Sequence, residues 1–95
     1  MRIISGNYKG FKLLIPSGKS TRPLRDMVKE SIFNSLSHSK NLLFDFKNKN
    51  ILDLFSGTGS FGLECLSRGA KKVTFVENNL NTLKILKKNI DKLKL

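Results

Sequence analysis

Asp53-Leu54-Phe55-Ser56-Gly57-Thr58-Gly59-Ser60-Phe61-Gly62 is the stretch that decides how this chain folds. An apolar pair, Ile51-Leu52, leads into the acid, and Gly57, Gly59 and Gly62 stand at G-x-G-x-x-G spacing. An amphipathic segment follows. This order spells a strand, a tight turn and a helix N-terminus, the arrangement by which α/β domains hold adenosine-containing ligands. Gly57 and Gly59 open backbone angles closed to residues with a Cβ and let a ligand approach the main chain. Gly62, one turn into the helix, lets that helix pack close to the strand.

The acid selects the ligand. The unpaired N–H groups of a helix start suit an anion, either the pyrophosphate of a dinucleotide or the methionine carboxylate of S-adenosylmethionine. A carboxylate at the strand end repels pyrophosphate and attracts an amino group and a sulfonium. Asp53 therefore disfavours a dinucleotide-dependent oxidoreductase. A second acid, Glu77, closes the next apolar run, Val73–Val76, 20 residues after Gly57. A ribose-binding acid is expected at that distance.

Outward from the motif, the chain reads as short elements. Residues 1–16 form a strand pair, Arg2–Ser5 and Phe11–Ile15, with Gly6-Asn7 and Gly10 supplying turn chemistry. A helix is predicted from Leu24 to Leu36, with Leu24, Val28, Ile32 and Leu36 as its apolar stripe and Phe33 widening it. Residues 37–50 form a polar linker whose apolar patch, Leu42–Phe44 with Phe46, docks on the rest. The motif helix runs from Phe61 to Arg68 and stops at Gly69. A strand follows from Lys72 to Val76. The last helix is capped by Asn78 or Asn79 and carries the stripe Leu80, Leu83, Leu86, Ile90 and Leu93. The second half is thus β-α-β-α with parallel strands. Two such strands leave open edges, which predicts marginal folding or self-association.

Composition sets the bounds. The chain has 95 residues, enough for one small domain, and a hydrophobic fraction of 39 % that permits a core. Its 18 basic and 7 acidic residues give a formal charge of +11, which suits a polyanionic partner such as nucleic acid. Residues 1–25 carry Arg2, Lys9, Lys12, Lys19, Arg22 and Arg25 and no acid. Tyr8 and Phe11, set among those lysines, either stack on bases or pack the hairpin onto the domain. Gly18-Lys19-Ser20 fails as a phosphate loop because Leu13 stands where a first glycine is required. Cys65, the single cysteine, excludes an internal disulfide and reads as a buried thiol. No paired Cys or His offers a metal site, and His38 reads as a solvated loop residue. No apolar run suggests a membrane span or signal peptide, so a cytoplasmic setting is expected.

Taken in order, Met1–Gly6, Lys9-Gly10, Thr21–Leu24, Asp26–Glu30, Ile32–Asn34 and Asp53–Gly62 resemble the bacterial 16S ribosomal RNA guanine-N2 methyltransferase family. The resemblance covers essentially the whole chain but only the N-terminal half of the family. It implies an α/β, Rossmann-like class I methyltransferase fold that is incomplete, with an N-terminal hairpin and helix followed by the β-α-β-α unit. On that basis residues 1–22 form a basic hairpin and loop, and residues 23–95 form half of an S-adenosylmethionine-binding domain. The likeness implies that Asp53, Ser56, Gly57, Thr58 and Gly59 line the methionine end of the cofactor. It implies that Glu77 bonds the ribose hydroxyls, with Asn78 beside the adenosine. Arg22, Pro23 and Glu30 match the segment near the substrate entrance, and Arg2, Lys9, Lys12, Arg22 and Arg25 would grip ribosomal RNA. Met27 departs from the family, which usually has arginine there. The Asn-Pro-Pro-Tyr or Asp-Pro-Pro-Phe tetrad that orients the guanine amine has no counterpart, since Pro16 and Pro23 are the only prolines. The implied function is S-adenosylmethionine-dependent methylation of a guanine N2 in small-subunit ribosomal RNA, with this chain supplying the cofactor-binding half. The alternative is a basic RNA-binding module without catalysis.

Overall fold

The glycine motif links a strand to a helix, as its spacing requires. The computed structural model describes residues 1–15, 26–38 and 45–94. Its elements are α1 (Asp26–His38), β1 (Asn50–Leu54), α2 (Ser60–Ser67), β2 (Lys72–Val76) and α3 (Leu80–Lys92). β1 and β2 pair in parallel, with Asn50 opposite Lys72 and Leu54 opposite Val76. This is an incomplete Rossmann-like α/β unit.

Strand geometry sends alternate side chains to opposite faces. Ile51, Asp53, Val73 and Phe75 are partly buried on one face. On the other, Leu52, Leu54 and Val76 are 61 %, 57 % and 45 % exposed. Parallel sheets are ordinarily covered on both faces, whereas this apolar face is uncovered among the described residues. Helix α2 runs between two cores. Leu63 joins Ile3, Leu13 and Leu93, while Cys65 joins Phe33, Phe46 and Ala70. Its close seat on β2 depends on Gly62, where a Cβ would collide with the Phe75 ring and lie 2.9 Å from Val73 Cγ1. Gly69, at φ 109°, ends the helix.

Three expectations are corrected. The N-terminal strands reduce to one antiparallel bridge, Arg2 with Lys12. Backbone bonds from Ile3 N to Phe11 O and from Leu13 N to Met1 O flank that bridge, and the pairing goes no further because neighbouring amides bond to side chains of α2 and α3. Glu64 accepts from the amides of Ile4 and Ser5 at 2.8 and 3.0 Å. Ser67 Oγ accepts from Tyr8 N at 2.9 Å, and Asn89 Oδ1 from Leu14 N at 2.7 Å. The buried face of α1 is also rotated from the expected stripe. Lys29 and Phe33 are fully buried, while Val28 and Ile32 are among the exposed large apolar residues; Leu24 lies outside the described residues. On α3, Leu80 is 74 % exposed, and Thr82 and Asn89 take buried positions beside Leu86 and Leu93. Phe46 is buried as expected, whereas Leu42–Phe44 lie outside the described residues. Asn79 is the cap of α3, its side chain accepting from Thr82 N at 3.0 Å.

Candidate cofactor site

The site forms where β1 and β2 end side by side. Past the last residues of β1, Ser56 stitches the two strand ends together. Its amide donates to Val76 O at 2.8 Å. Its hydroxyl donates to Asp53 O at 2.7 Å and accepts from Val76 N at 2.9 Å. Ser56 is buried, so its side chain shapes the turn from beneath.

The two acids flank that turn and hold it through backbone amides. Asp53 Oδ2 accepts from Gly62 N at 3.1 Å, taking one of the orphan donors at the start of α2. Glu77 Oε1 accepts from Gly57 N at 2.9 Å, and its Oε2 from Asn79 N at 2.9 Å. Each carboxylate oxygen has two lone pairs, so both groups keep acceptor capacity for a ligand.

The three glycines separate into distinct roles. Gly57, at φ 58°, has no heavy atom within 4 Å of where a Cβ would stand. It is therefore the position beside which a ligand can approach the backbone. Gly59 instead packs inward, where a Cβ would collide with Leu86 Cδ1, and Gly62 serves the helix-on-strand contact. Thr58 is buried, and its carbonyl accepts from Asn89 Nδ2 at 2.8 Å. Asn78 is exposed next to Glu77. The structure thus gathers Asp53, Ser56, Gly57, Thr58, Gly59 and Glu77 around one turn. Of the basic residues, Arg2, Lys9 and Lys12 lie exposed on the N-terminal segment, with Tyr8 and Phe11 in edge-to-face contact at 5.9 Å between centroids. Arg22 and Arg25 lie outside the described residues.

Sequence reasoning missed the polar groups behind the site. Glu64, fully buried, accepts from Lys29 Nζ at 3.2 Å and Arg68 Nε at 2.9 Å, besides the two N-terminal amides. Arg68 also lies over the Phe33 ring at 4.4 Å. Asn89 joins both the amide and carbonyl of Leu14 to the glycine turn. A signal did exist: Thr82, Leu86, Asn89 and Leu93 are spaced four, three and four residues apart, one helical face with polar members.

Burial pushes the Asp53 carboxyl above the usual aspartate value of 3.8, against the opposing effect of the Gly62 N–H. Burial, with Asp53 and Glu64 nearby, also pushes the Cys65 thiol up to about 12, so it stays protonated and is no nucleophile. For Asp53 the sign is as follows. A raised folded-state value means the proton is held more tightly in the folded protein. The associated stabilisation is present in acid and lost as pH rises through that value. Cofactor attraction runs the other way, because it needs the carboxylate. Affinity for a cationic ligand at this turn is accordingly expected to fall on acidification, with a midpoint above 3.8. Calorimetric titration across pH checks this, and Asp53→Asn should abolish that step.

The sheet and glycine turn define an incomplete Rossmann-like α/β unit. Its whole length, residues 1–95, matches the family described as conserved hypothetical protein 95, and the chain belongs to that family. It is 42 % identical over 95 residues to a putative rRNA methyltransferase, YlbH, of Bacillus subtilis, covering 100 % of this chain and 48 % of the relative. It is 43 % identical over 94 residues to ribosomal RNA small subunit methyltransferase D of Haemophilus influenzae, covering 99 % and 46 %. Among solved structures, a putative methyltransferase, yhhF, of Escherichia coli superposes with a TM-score of 0.80 at 35 % identity, covering 99 % of this chain and 47 % of that one. The chain spans about half the length of these relatives.

Proposed function

We propose that this chain is the cofactor-binding half of an S-adenosylmethionine-dependent enzyme that methylates the exocyclic N2 of a guanine in small-subunit ribosomal RNA. One observation carries the cofactor reading: two strand-end carboxylates, Asp53 and Glu77, flank a left-handed glycine with open space beside it. That pair of acceptors fits a cationic ligand with a diol better than a pyrophosphate. When bound, the cofactor supplies an electrophilic methyl group on a sulfonium. Asp53 would attract its amino group and positive sulfur, Gly57 would admit it to the backbone, and Glu77 would accept from the ribose hydroxyls. Asn78 would lie beside the adenosine. Arg2, Lys9 and Lys12, with Arg22 and Arg25, would hold RNA phosphates. The names of the relatives support ribosomal RNA as the substrate class. No residue pair here supplies the tetrad that would orient the guanine amine, so methyl transfer by the 95 residues alone is expected to be undetectable.

Calorimetry tests the reading. S-Adenosylhomocysteine should bind, and Asp53→Ala and Gly57→Val should each weaken it by about tenfold or more, the scale of one lost charge-assisted contact. A Cβ at Gly57 meets no protein atom within 4 Å, so the first cost of the substitution to folding is the left-handed backbone, about 1–2 kcal/mol. Preferential binding of NADH would overturn the proposal. RNA binding that survives Gly57→Val, with no cofactor affinity in the parent chain, would favour the non-catalytic module instead.

A further inference from the structure

The buried lysine of α1 does more than neutralise Glu64. Lys29 Nζ donates to Arg2 O at 2.7 Å, to Ser60 Oγ at 3.1 Å and to Glu64 Oε1 at 3.2 Å. An ammonium has three hydrogens, so its capacity is filled. The three acceptors belong to different parts of the molecule. Arg2 lies on the basic N-terminal segment, and Glu64 lies within α2. Ser60 is the first residue of α2 and follows directly on Gly59, the left-handed cap at φ 94°. Gly59 has no side chain with which to cap that helix end, and Asp53 takes the Gly62 amide from the sheet side. The Ser60 hydroxyl, the nearest candidate, is turned toward Lys29 instead.

The glycine turn is therefore held from two directions. Asp53 and Glu77 bind the amides of Gly62 and Gly57 from the sheet side. Lys29 holds Ser60 from the α1 side and fixes it relative to the carbonyl of Arg2. A lysine at this place opposes the partial positive charge of a helix N-terminus, and Glu64, one turn along, offsets that cost. Such a group suits a positioning task, because a short contact across three elements leaves the turn little freedom to shift.

We infer that Lys29 is a positioning residue that acts through Ser60, holding the glycine turn in register with the basic N-terminal segment. This rests on the cofactor reading above and deepens it: ligand affinity at the turn then depends on a side chain that never touches the ligand. Sub-ångström placement of this kind governs how well bound groups meet.

The test separates positioning from plain structural support. Ser60→Ala removes only the contact to the turn and leaves the Lys29–Glu64 pair intact. Lys29→Met removes both, but Glu64 keeps Arg68 and two amides as partners. In the full chain, Ser60→Ala should weaken S-adenosylhomocysteine binding about tenfold, the scale of one charge-assisted hydrogen bond. Ser60→Thr should restore it. The double variant Lys29→Met/Ser60→Ala should bind no more weakly than Lys29→Met alone, since both changes cut one link. Hydrogen exchange gives a ligand-free readout. In Ser60→Ala, exchange should quicken at the Gly57 and Gly62 amides and stay unchanged at Ala70 and Leu83, whose amides bond to Cys65 O and Asn79 O. Uniform quickening, or none, overturns the inference. If selective quickening is seen but the parent chain binds no cofactor, the positioning stands and the cofactor reading falls.

Discussion

Glu64→Ala is expected to leave the chain unfolded. The carboxylate is fully buried and accepts four donors: the amides of Ile4 and Ser5, the Lys29 ammonium and the Arg68 guanidinium. Alanine removes an acceptor from all four. Lys29 suffers most, because it is fully buried and no other anion is paired with it among the described residues. Removing one partner of a buried ion pair costs about 3–5 kcal/mol. A small domain has about 5–15 kcal/mol in total, and a chain of this size sits toward the lower end. Far-UV circular dichroism of the variant should show loss of helix at 25 °C, where the parent remains folded. Retained helix with a urea midpoint near the parent's would show that the buried network contributes little.

Gly6→Ala should detach the N-terminal segment, whereas Gly10→Ala should not. Both glycines have left-handed backbones, at φ 90° and 87°. A Cβ at Gly10 meets nothing within 4 Å, so alanine there incurs only the conformational cost of about 1–2 kcal/mol. A Cβ at Gly6 would overlap the carbonyl oxygen of Ser67. That oxygen accepts from Asn7 N at 2.8 Å, and the Ser67 hydroxyl bonds both Tyr8 N and Ser5 O. Displacing Ser67 would break three hydrogen bonds together, a loss of about 3 kcal/mol on top of the strain. Tyr8 is the only tyrosine and there is no tryptophan, so intrinsic fluorescence reports on this segment directly. The Gly6 variant should show the tyrosine signal of the unfolded chain while α3 keeps its helicity. Equal urea midpoints for the two variants would refute the clash.

The sheet and its turn were legible because each is specified locally. Asp53, the glycines and Glu77 signal their elements by spacing alone, and Lys72–Val76 emerged with the bounds expected of it. Gly62 likewise packs against β2, as its place one turn into the helix suggested. What could not be read was anything that depends on a long-range polar contact. Lys29 and Glu64 look like ordinary helix-surface charges, and only the fold brings them together. Their burial rotated α1 away from its apolar stripe, because a satisfied ion pair can occupy a core position as a leucine would. The N-terminal strands failed for a related reason. β-Propensity at Ile3 and Phe11 was real, and their backbones do bond each other, yet side chains 59 to 75 residues away offered the amides of Ile4, Ser5, Tyr8 and Leu14 other partners. The candidate site followed the same division: its acids and the glycine with open space beside it were visible, whereas the supports beneath them were not.

The bare face formed by Leu52, Leu54 and Val76 belongs to a polypeptide with a formal charge of +11. Two opposed forces then govern how copies meet. Apolar area draws the faces together, while like charge keeps the molecules apart over about 8 Å at physiological ionic strength. Added electrolyte weakens the repulsion and leaves the attraction intact, so association is promoted by the same ions that loosen phosphate contacts. A polyanion would cancel that charge without added electrolyte, and so would also favour contact between these faces.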